Sequence, residues 1–586
     1  MTDQGLRAAT TQGRIVRVNG PLVEVEGLAG AAMSEVVELG PLSIPGELVA
    51  YSDGVATIQA YEYTGGLGPG TVAVAQGEPL SAPLGPHLLG GVFDGLLRPL
   101  SGAGTWLTPG AAQPTDSRTW AFEPEVLPGG HVVAGDTVGL VHGEGSLPLR
   151  VLVPPGVEGS VDVLVPSGEY GADARLAVIG GDPIGMTQRW PVRRPRPYRS
   201  RVDGSEPLVT GQRVLDLLYP VALGSTAAVP GGFGTGKTVL LQQVAKWCTA
   251  DVIVYVGCGE RGNEMADVVA EIAELVDPRT GGRLANRTVV VANTSNMPMM
   301  ARESSVYAGM TVAEYFRDMG LNAVVIADST SRWAEALREF ASRSGALPAE
   351  EGYPAGLGSA LAAFYERAGH VVTLGGARGS VTVIGAISPQ GGDVTEPVTA
   401  NTERFVRSVW SLDRDLAYAR HYPAVSWTTS FSRDAASIGA WHAGKGNPEW
   451  ARRRGRVLGL VADADRLAAL ADLVGVASLP GAERMVLIAG RLLREAVLQQ
   501  SALSTADASC SPEKGAALVD AVLTVLDRCQ GLIERGVLAS VVENVDWGPL
   551  MRARDETAST DVAGVEVRRD TVLATLSQLV PGEVES

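Results

Sequence analysis

The sequence predicts a multidomain α/β chain: an N-terminal β-barrel, an inserted β-rich domain, a core with a parallel sheet, and a C-terminal helical bundle. Three observations support this prediction. Short alternating segments punctuated by Gly and Pro fill about the first 80 residues, apolar runs alternate with helical patterns between roughly 205 and 440, and only helical periodicity follows Pro448. Since a single core rarely extends past about 250–300 residues, a chain of 586 residues also needs several domains.

The N-terminal third is dominated by strand patterns. Residues 14–26 (RIVRVNGPLVEVE) alternate apolar and polar positions around a Gly-Pro turn, which is typical of a small β-barrel. Residues 145–154 (GSLPLRVLVP) belong to a second Gly- and Pro-rich stretch, and residues 191–201 are interpreted as an extended connector rather than a solvated or polyproline linker. The predicted limits are 1–82 for the barrel, 83–112 for the start of the core, 113–199 for the inserted domain, 200–445 for the main core and 446–586 for the helical domain.

The core and the C-terminal part are predicted from their periodicity. Five apolar runs are expected as strands of the parallel sheet, at residues 227–229, 252–256, 289–292, 323–327 and 381–387. Apolar residues at three- and four-residue spacing predict C-terminal helices at 466–473, 482–500, 514–536 and 570–579.

Composition narrows the function classes. A formal net charge of −17 argues against broad nucleic-acid binding, which needs a basic surface. The four cysteines lack C-x-x-C spacing and are expected as buried thiols, and the six histidines are scattered. Residues 1–10 do not resemble a signal peptide and no apolar run of about 18 residues is present, so we expect a cytosolic chain without direct membrane insertion, whose membrane role depends on partners.

Residues 229–238 (VPGGFGTGKT) carry the most specific signal. They satisfy G-x-x-x-x-G-K-[ST] between a strand-like lead-in and a helix-like run, which predicts a phosphate loop and makes 200–445 a RecA-like nucleotide-binding domain. Lys237 is expected near the β- and γ-phosphates, where the chain keeps one of its four lysines, and Thr238 is expected to ligate Mg²⁺. The predicted nucleotide-binding residues of this segment are Gly231, Gly232, Phe233, Gly234, Thr235, Gly236, Lys237, Thr238 and Val239.

Two acidic residues follow predicted strands. Glu260 comes after the strand in DVIVYVGCGE and Asp328 ends the strand in NAVVIAD. Because ligands lie beyond the carboxyl ends of parallel strands, Glu260 is expected to polarise an attacking water and Asp328 to hold Mg²⁺. Each signal alone is also compatible with a solvated or merely buried acid. Tyr422 could stack on adenine, although a tyrosine in such a run is more often a core residue.

These motifs resemble the catalytic A subunit of V-type and A-type rotary ATPases over nearly the whole chain. PGGFGTGKT, VGCGERGNEM (256–265), NTSNMP (293–298), ADSTSRWAEALRE (327–339) and SPQGGDVTEPVT (388–399) carry the resemblance. It implies ATP and ADP as ligands with Mg²⁺, catalytic roles for Lys237, Glu260 and Arg261, and metal binding by Thr238 and Asp328. It also implies an adenine pocket formed by Tyr422, Gln499 and Gln500.

The resemblance further implies partners. An alternating ring of three A and three B subunits is expected, with an arginine finger from B, central and peripheral stalks, and a membrane sector that moves protons or sodium ions. The location implied is the cytoplasmic face of a membrane, as a peripheral complex, and the preference for Arg over Lys indicates a prokaryotic plasma membrane. The transported ion and the direction of operation stay open.

Three positions depart from the family pattern. Thr235 stands where eukaryotic relatives often carry Cys, Val394 replaces a usual Phe, and Leu503 replaces the aromatic that follows the paired glutamines. Two other functions remain possible from sequence: a homohexameric secretion-type or RNA-translocase ATPase, which the acidic charge, the insertion and the helical tail disfavour, and a nucleotide-holding structural subunit without turnover, against which the intact loop and Glu260 argue.

Overall fold

The computed structural model describes residues 11–101, 118–143, 147–203 and 205–579. It divides into two units, one with residues 1–203, 250–387 and 395–405, and the other with residues 204–249, 388–394 and 406–586. The predicted limits at residues 1, 112, 113 and 586, the segment 1–10 and the start of the stretch 145–154 lie outside the described residues. The predicted domain limits therefore remain predictions.

A closed six-stranded antiparallel barrel begins the first unit. Alternation places one face of each strand inside, where Ile15, Val23, Val37 and Ile58 are fully buried. In their order around the barrel the strands are Gln12–Asn19, Leu22–Glu26, Val55–Ala60, Ile44–Ser52, Glu35–Leu39 and Val72–Pro79.

The inserted domain is all β in its described part. One four-stranded sheet contains, in spatial order, His131–Val132, Gly159–Leu164, Arg175–Ile179 and Asp182–Gly185. The other contains Leu149–Leu152, Thr137–His142, Thr119–Pro124 and Gly168–Gly171. A separate strand pair joins Gln188–Pro191 to Ser81–Leu84.

The connector after this domain is anchored rather than solvated. Arg196 is 3% exposed and donates through Nε to Asp318 Oδ2 at 2.7 Å, and Arg193 donates to both carboxylate oxygens of Glu303 at 2.8 and 2.6 Å. Both acids lie on the helix Met299–Asp318. The sequence interpretation as an extended connector back to the core fits these contacts.

Five parallel strands form the main sheet of the first unit, and their nearly continuous Val, Ile and Ala content is what burial on both faces requires. Their spatial order is Arg378–Ile387, Asn322–Asp328, Val252–Cys258, Thr288–Asn293 and Val92–Phe93. The antiparallel strands Gly369–Val372 and Ser200–Arg201 extend the sheet, which is therefore mixed. The helices of this unit are Pro86–Leu88, Gly262–Glu274, Leu284–Arg287, Met299–Asp318, Thr330–Arg343, Glu350–Gly352, Leu357–Tyr365 and Pro397–Phe405.

The second unit combines short strands with helices. Thr226–Pro230 pairs in parallel with Ser408–Val409, which pairs antiparallel with Phe431–Ser432, and Pro207–Leu208 pairs with Val221–Ala222. The helices that precede the C-terminal bundle are Arg213–Leu218, Lys237–Trp247, Gln390–Gly392, Arg414–Tyr418 and Ala435–Gly444.

The C-terminal bundle is helical, as the periodicity predicted, but two of its helices begin well before their predicted starts at 466 and 570. Its helices are Glu449–Val474, Val476–Ser478, Gly481–Leu492, Leu493–Leu498, Pro512–Glu534, Ala539–Glu543, Gly548–Glu556 and Val562–Ser577. The helix predicted at 482–500 is wrong at its end, because helical structure stops at Leu498: the Gln500 backbone N–H donates to the carbonyl oxygen of Tyr422 and the Ser501 backbone N–H donates to Asp507 Oδ2. Ser511 and Asp561 cap helices that the predictions began too late.

The predicted fold class is confirmed: a barrel, a β-rich domain, a core with parallel strands, and a helical C-terminal domain. Within the described ranges, no helix combines the length and apolar character needed to cross a membrane. All four cysteines are buried, as the sequence predicted.

Candidate functional site

The phosphate loop links the buried strand Thr226–Pro230 to the helix Lys237–Trp247. Gly234 and Gly236 have φ values of +80° and +83°, a conformation that favours glycine. Thr235 is 2% exposed and donates its hydroxyl to the carbonyl oxygen of Gly232 at 2.8 Å, which closes the turn inside the loop. The helix therefore begins directly after this turn, and the backbone N–H groups of a helix's first turn have no intrahelical acceptor, which makes this position suitable for an anion.

Lys237 is the first residue of that helix, and its Nζ donates to Ser388 Oγ. Thr238 and Val239 are exposed, and the Phe233 side chain is 95% exposed. A methyl group placed on Gly232 would lie 3.4 Å from Nη2 of Arg414. Sequence reasoning missed this second cation beside the loop, because Arg414 is far away along the chain and belongs to no motif.

A cavity of about 650 Å³ lies next to the loop within the second unit. Its walls include Gly236, Val239, Tyr422, Gln499 and Gln500. A Cβ at residue 236 would lie 3.1 Å from Tyr422 Cε1, so the glycine lets the loop approach the ring. Tyr422 is 41% exposed, which agrees with a ring that faces the cavity and disagrees with a core tyrosine. The structure thus brings together the predicted loop, aromatic and paired glutamines.

The two glutamines differ in their use of the side chain. Gln499 donates through Nε2 to the carbonyl oxygen of Arg420 at 3.3 Å on the rim of the cavity. Gln500 is 3% exposed, donates to the carbonyl oxygen of Gly211 at 2.8 Å and accepts from the backbone N–H of Arg213 at 2.9 Å. Its backbone N–H donates to Tyr422 O at 2.8 Å. The Gln500 side chain is therefore held by Gly211 and Arg213, and its backbone connects this part of the cavity wall to Tyr422.

The departures from the family pattern are also visible. Leu503 lines the same cavity and is 98% exposed, and Val394 is 48% exposed. Neither side chain supplies an aromatic surface. Tyr422 is thus the one aromatic residue among the described lining residues of the cavity.

The predicted acids lie in the first unit. Asp328 ends the strand Asn322–Asp328, is 4% exposed and accepts from Tyr255 OH at 3.0 Å. In the parallel register Asp328 is opposite Gly257, three residues before Glu260. Burial, followed by the charge of Asp328, raises the pKa of Tyr255 well above its usual value, so the phenol stays a donor to that carboxylate.

Glu260 follows the strand Val252–Cys258 after a tight turn at Gly259, whose φ is +76°. A Cβ on Gly259 would lie 2.8 Å from Arg332 Cβ and 3.1 Å from Arg302 Cδ, so two arginine side chains flank this turn. Hydrogen bonding to Glu335 raises the pKa of Arg332, and the charge of Glu260 adds to the shift. Arg261 is largely exposed, and its Nε lies 3.9 Å from Oε1 of Glu264. Arg302 and Arg332 were not identified from the sequence as neighbours of the turn before Glu260.

Each of the two predicted metal ligands carries a group that suits Mg²⁺. Thr238 offers an exposed hydroxyl and Asp328 a carboxylate, and both are the hard oxygen ligands that Mg²⁺ prefers. Within the described residues, no group of three or more His, Cys, Asp or Glu residues is arranged to hold a metal ion by itself.

A barrel, a phosphate loop after a parallel strand and a helical C-terminal domain define a nucleotide-binding subunit of the ATP synthase alpha/beta class. Four family models match the chain: the alpha/beta beta-barrel domain at 15–77, the alpha/beta barrel-sandwich domain at 113–193, the alpha/beta nucleotide-binding domain at 211–432, and the C-terminal domain of V and A type ATP synthase at 439–541.

Individual relatives narrow the class. The V-type ATP synthase alpha chain of Anaeromyxobacter dehalogenans (strain 2CP-C) is 48% identical over 566 residues, which cover 95% of this chain and 98% of the relative. The V-type ATP synthase alpha chain of Nitrosococcus oceani is 47% identical over 555 residues, which cover 92% of this chain and 93% of the relative. The A subunit of the A-type ATP synthase of Thermococcus sibiricus is 46% identical over 538 residues, which cover 90% of this chain and 92% of the relative. The chain belongs to this family of V-type alpha chains and A-type A subunits, as the sequence resemblance predicted.

Proposed function

We propose that this chain is the catalytic subunit of a rotary V/A-type ATPase that couples hydrolysis or synthesis of MgATP to proton or sodium ion transport through partner subunits. The observation that carries the proposal is the phosphate loop beside a cavity of about 650 Å³ with Tyr422 in its wall. That arrangement offers a polyphosphate site and an aromatic face for a base in one continuous surface. Family membership supports the same conclusion.

The binding roles follow from the residues of the second unit. Backbone N–H groups of residues 231–238 and the Lys237 ammonium bind the β- and γ-phosphates, since both are donors aimed at anionic oxygen. The Tyr422 ring stacks on adenine, and Gln499 and Gln500 shape the pocket around the base. When bound, Mg²⁺ would neutralise phosphate charge, and the Thr238 hydroxyl is proposed as one of its ligands. The Asp328 carboxylate, which belongs to the first unit, is proposed as another ligand.

The catalytic roles are assigned to the first unit. We propose that Glu260 accepts a hydrogen bond from the attacking water and orients it, as a carboxylate at the end of a parallel strand can do. Arg261 is exposed and is assigned to the γ-phosphate region. Asp328 is held in place by Tyr255.

Assembly completes the proposal. We propose an alternating ring with three B subunits, an arginine finger donated by B, central and peripheral stalks, and a peripheral location on the cytoplasmic face of a prokaryotic plasma membrane. Because an arginine finger in trans contributes about 10³–10⁵ in rate in other nucleotidases, the isolated chain is expected to hydrolyse ATP slowly. The relatives favour neither the RNA-translocase nor the secretion-type alternative.

Purification of the native complex tests this function. The proposal expects this chain to co-purify with a second nucleotide-binding chain and with stalk and membrane subunits, and the complex to hydrolyse ATP far faster than the chain alone. A complex that binds ATP but shows no turnover would favour a nucleotide-holding structural role. Isolation as a homohexamer without partners would contradict the rotary assignment.

A further inference from the structure

One wall of the nucleotide cavity is a segment without helix or strand, residues 499–504, here called the pocket loop. Residues within a helix or sheet are held by repeating backbone hydrogen bonds, but the pocket loop lies outside both kinds of element. Its position therefore depends on individual contacts. The structure shows where they originate: a buried carboxylate at Asp507 and a buried guanidinium at Arg213.

Arg213 is 3% exposed and holds the beginning of the pocket loop. It donates to the carbonyl oxygens of Val497 and Gln499 at 2.6 and 2.5 Å, and its backbone N–H donates to the Gln500 side chain. These three bonds fix the chain on both sides of Gln499. The same guanidinium donates through Nη1 to Asp507 Oδ1 at 2.6 Å.

Asp507 is fully buried and holds the middle of the pocket loop. Its Oδ2 accepts from the Ser501 backbone N–H at 2.8 Å and from Arg554 Nη1 at 2.6 Å. Burial alone would raise the pKa of Asp507, but Arg213 together with these bonds lowers it below its usual value. The carboxylate is thus charged and fully engaged between two guanidinium groups.

Arg554 completes the arrangement because it lines the cavity itself, with Asp555 beside it. Arg554 lies on the helix Gly548–Glu556, whereas Arg213 begins a helix that precedes the phosphate loop. Asp507 therefore links both helices to the pocket loop. Ion pairs at this degree of burial are costly to break, since removal of one partner leaves an uncompensated charge.

We propose that Asp507 is a positioning residue for the nucleotide base: it places the pocket loop against Tyr422 through Ser501, Arg213 and Arg554. The inference rests on the proposed nucleotide-binding function. It assigns to Asp507 an effect on the part of the ligand that carries the base, and none on the polyphosphate, which the phosphate loop binds with its own backbone.

The test compares two probes on the full-length chain by titration calorimetry, MgATP and magnesium tripolyphosphate, which lacks ribose and base. Asp507→Asn is expected to raise the Kd for MgATP about tenfold, within the range of a lost base stack, and to change the Kd for tripolyphosphate by less than about twofold. Asp507→Glu, which keeps the charge, should recover part of the MgATP affinity. If Asp507→Asn does not fold, Arg554→Gln replaces it in the test. This variant removes the ion pair between Arg554 and Asp507 but keeps the one between Arg213 and Asp507.

Asp434→Asn is the matched control. Asp434 is also buried, pairs with Arg407 and accepts from the Ala222 backbone N–H, but it does not line the cavity. The substitution should lower thermal stability without changing either Kd. Equal weakening of both probes in Asp507→Asn, or unchanged MgATP affinity, would overturn the inference. If the wild-type chain binds neither probe, the proposed function itself is wrong.

Discussion

The two units contribute very different surfaces to the proposed chemistry. In the second unit, the phosphate loop and its cavity are open: Thr238 and Val239 are exposed, and Tyr422 is 41% exposed. In the first unit, Asp328 is almost completely buried at the end of a strand and is held by Tyr255. An open surface with backbone donors is suited to binding a ligand. A buried acid with a fixed hydrogen-bond partner keeps its carboxylate in one orientation, which is what catalysis requires of a preorganised group. The comparison predicts that substitutions in the two units separate affinity from turnover.

The largest effect is expected in the first unit. Glu260→Gln keeps the size of the side chain but replaces the carboxylate with a neutral amide, which is a much weaker hydrogen-bond acceptor for the attacking water, and turnover of the native complex should fall by about 10²–10⁴. The Kd for MgATP should stay within about twofold, because the binding residues are untouched. Steady-state hydrolysis and calorimetry measure the two quantities.

Glu274→Gln is the control for that variant, since Glu274 is an exposed acid at the far end of the helix Gly262–Glu274 that follows Glu260. It should leave turnover nearly unchanged. Unchanged turnover in Glu260→Gln would remove Glu260 from the mechanism and with it the division of roles between the units.

The second prediction concerns acid stability in the second unit. Burial, with Arg494 and Arg554 nearby, lowers the pKa of His421 from 6.5 to about 4. The folded state therefore favours the neutral ring, and its stabilising contribution is present above about pH 6.5 and is lost as pH falls towards 4. We expect the free energy of unfolding to fall by about 2–3 kcal/mol across that window.

Urea unfolding at pH 7 and pH 4.5 measures this effect. His421→Gln should unfold with a smaller difference between the two pH values, while His131→Gln, which replaces an exposed histidine in the inserted domain, should behave like the wild type. The same pH difference in all three proteins would show that burial of His421 is not the cause.

The third prediction tests the binding side of the comparison. Tyr422→Ala removes the aromatic face of the cavity and should raise the Kd for MgATP about tenfold, with turnover at saturating ATP reduced far less. Tyr422→Phe should retain most of the affinity. Tyr418→Ala is the matched control, because Tyr418 is 77% exposed on a neighbouring helix and does not line the cavity. An equal change in both alanine variants would argue against stacking.

The smallest expected effect is a gain. Leu503 is 98% exposed on the cavity wall, and Leu503→Phe would add a second aromatic surface for the base. Aromatic pairs contribute about 0.5–1.5 kcal/mol, so MgATP affinity should increase roughly threefold. Unchanged affinity would mean that the residue 503 side chain does not reach the base, and a loss would mean that the larger ring obstructs the cavity.

The sequence specified the fold class and the contiguous parts of the site because their information is local. The phosphate loop is a single run, and Glu260 and Asp328 follow strands whose apolar content is recognisable. Arg414 and Asp507 could not be found in this way, because the approach of Arg414 to the loop and the pairing of Arg213 with Asp507 join segments far apart in the chain. The end of the helix before Gln499 was missed for the same reason.

Calorimetric titration of the full-length chain with MgATP tests directly whether the phosphate loop and its cavity bind the nucleotide. We expect one nucleotide bound per wild-type chain, loss of measurable binding in Lys237→Ala, and normal binding in Lys246→Ala, which replaces a lysine at the other end of the same helix. Absence of MgATP binding by the wild type, or equal binding by Lys237→Ala, would contradict this expectation.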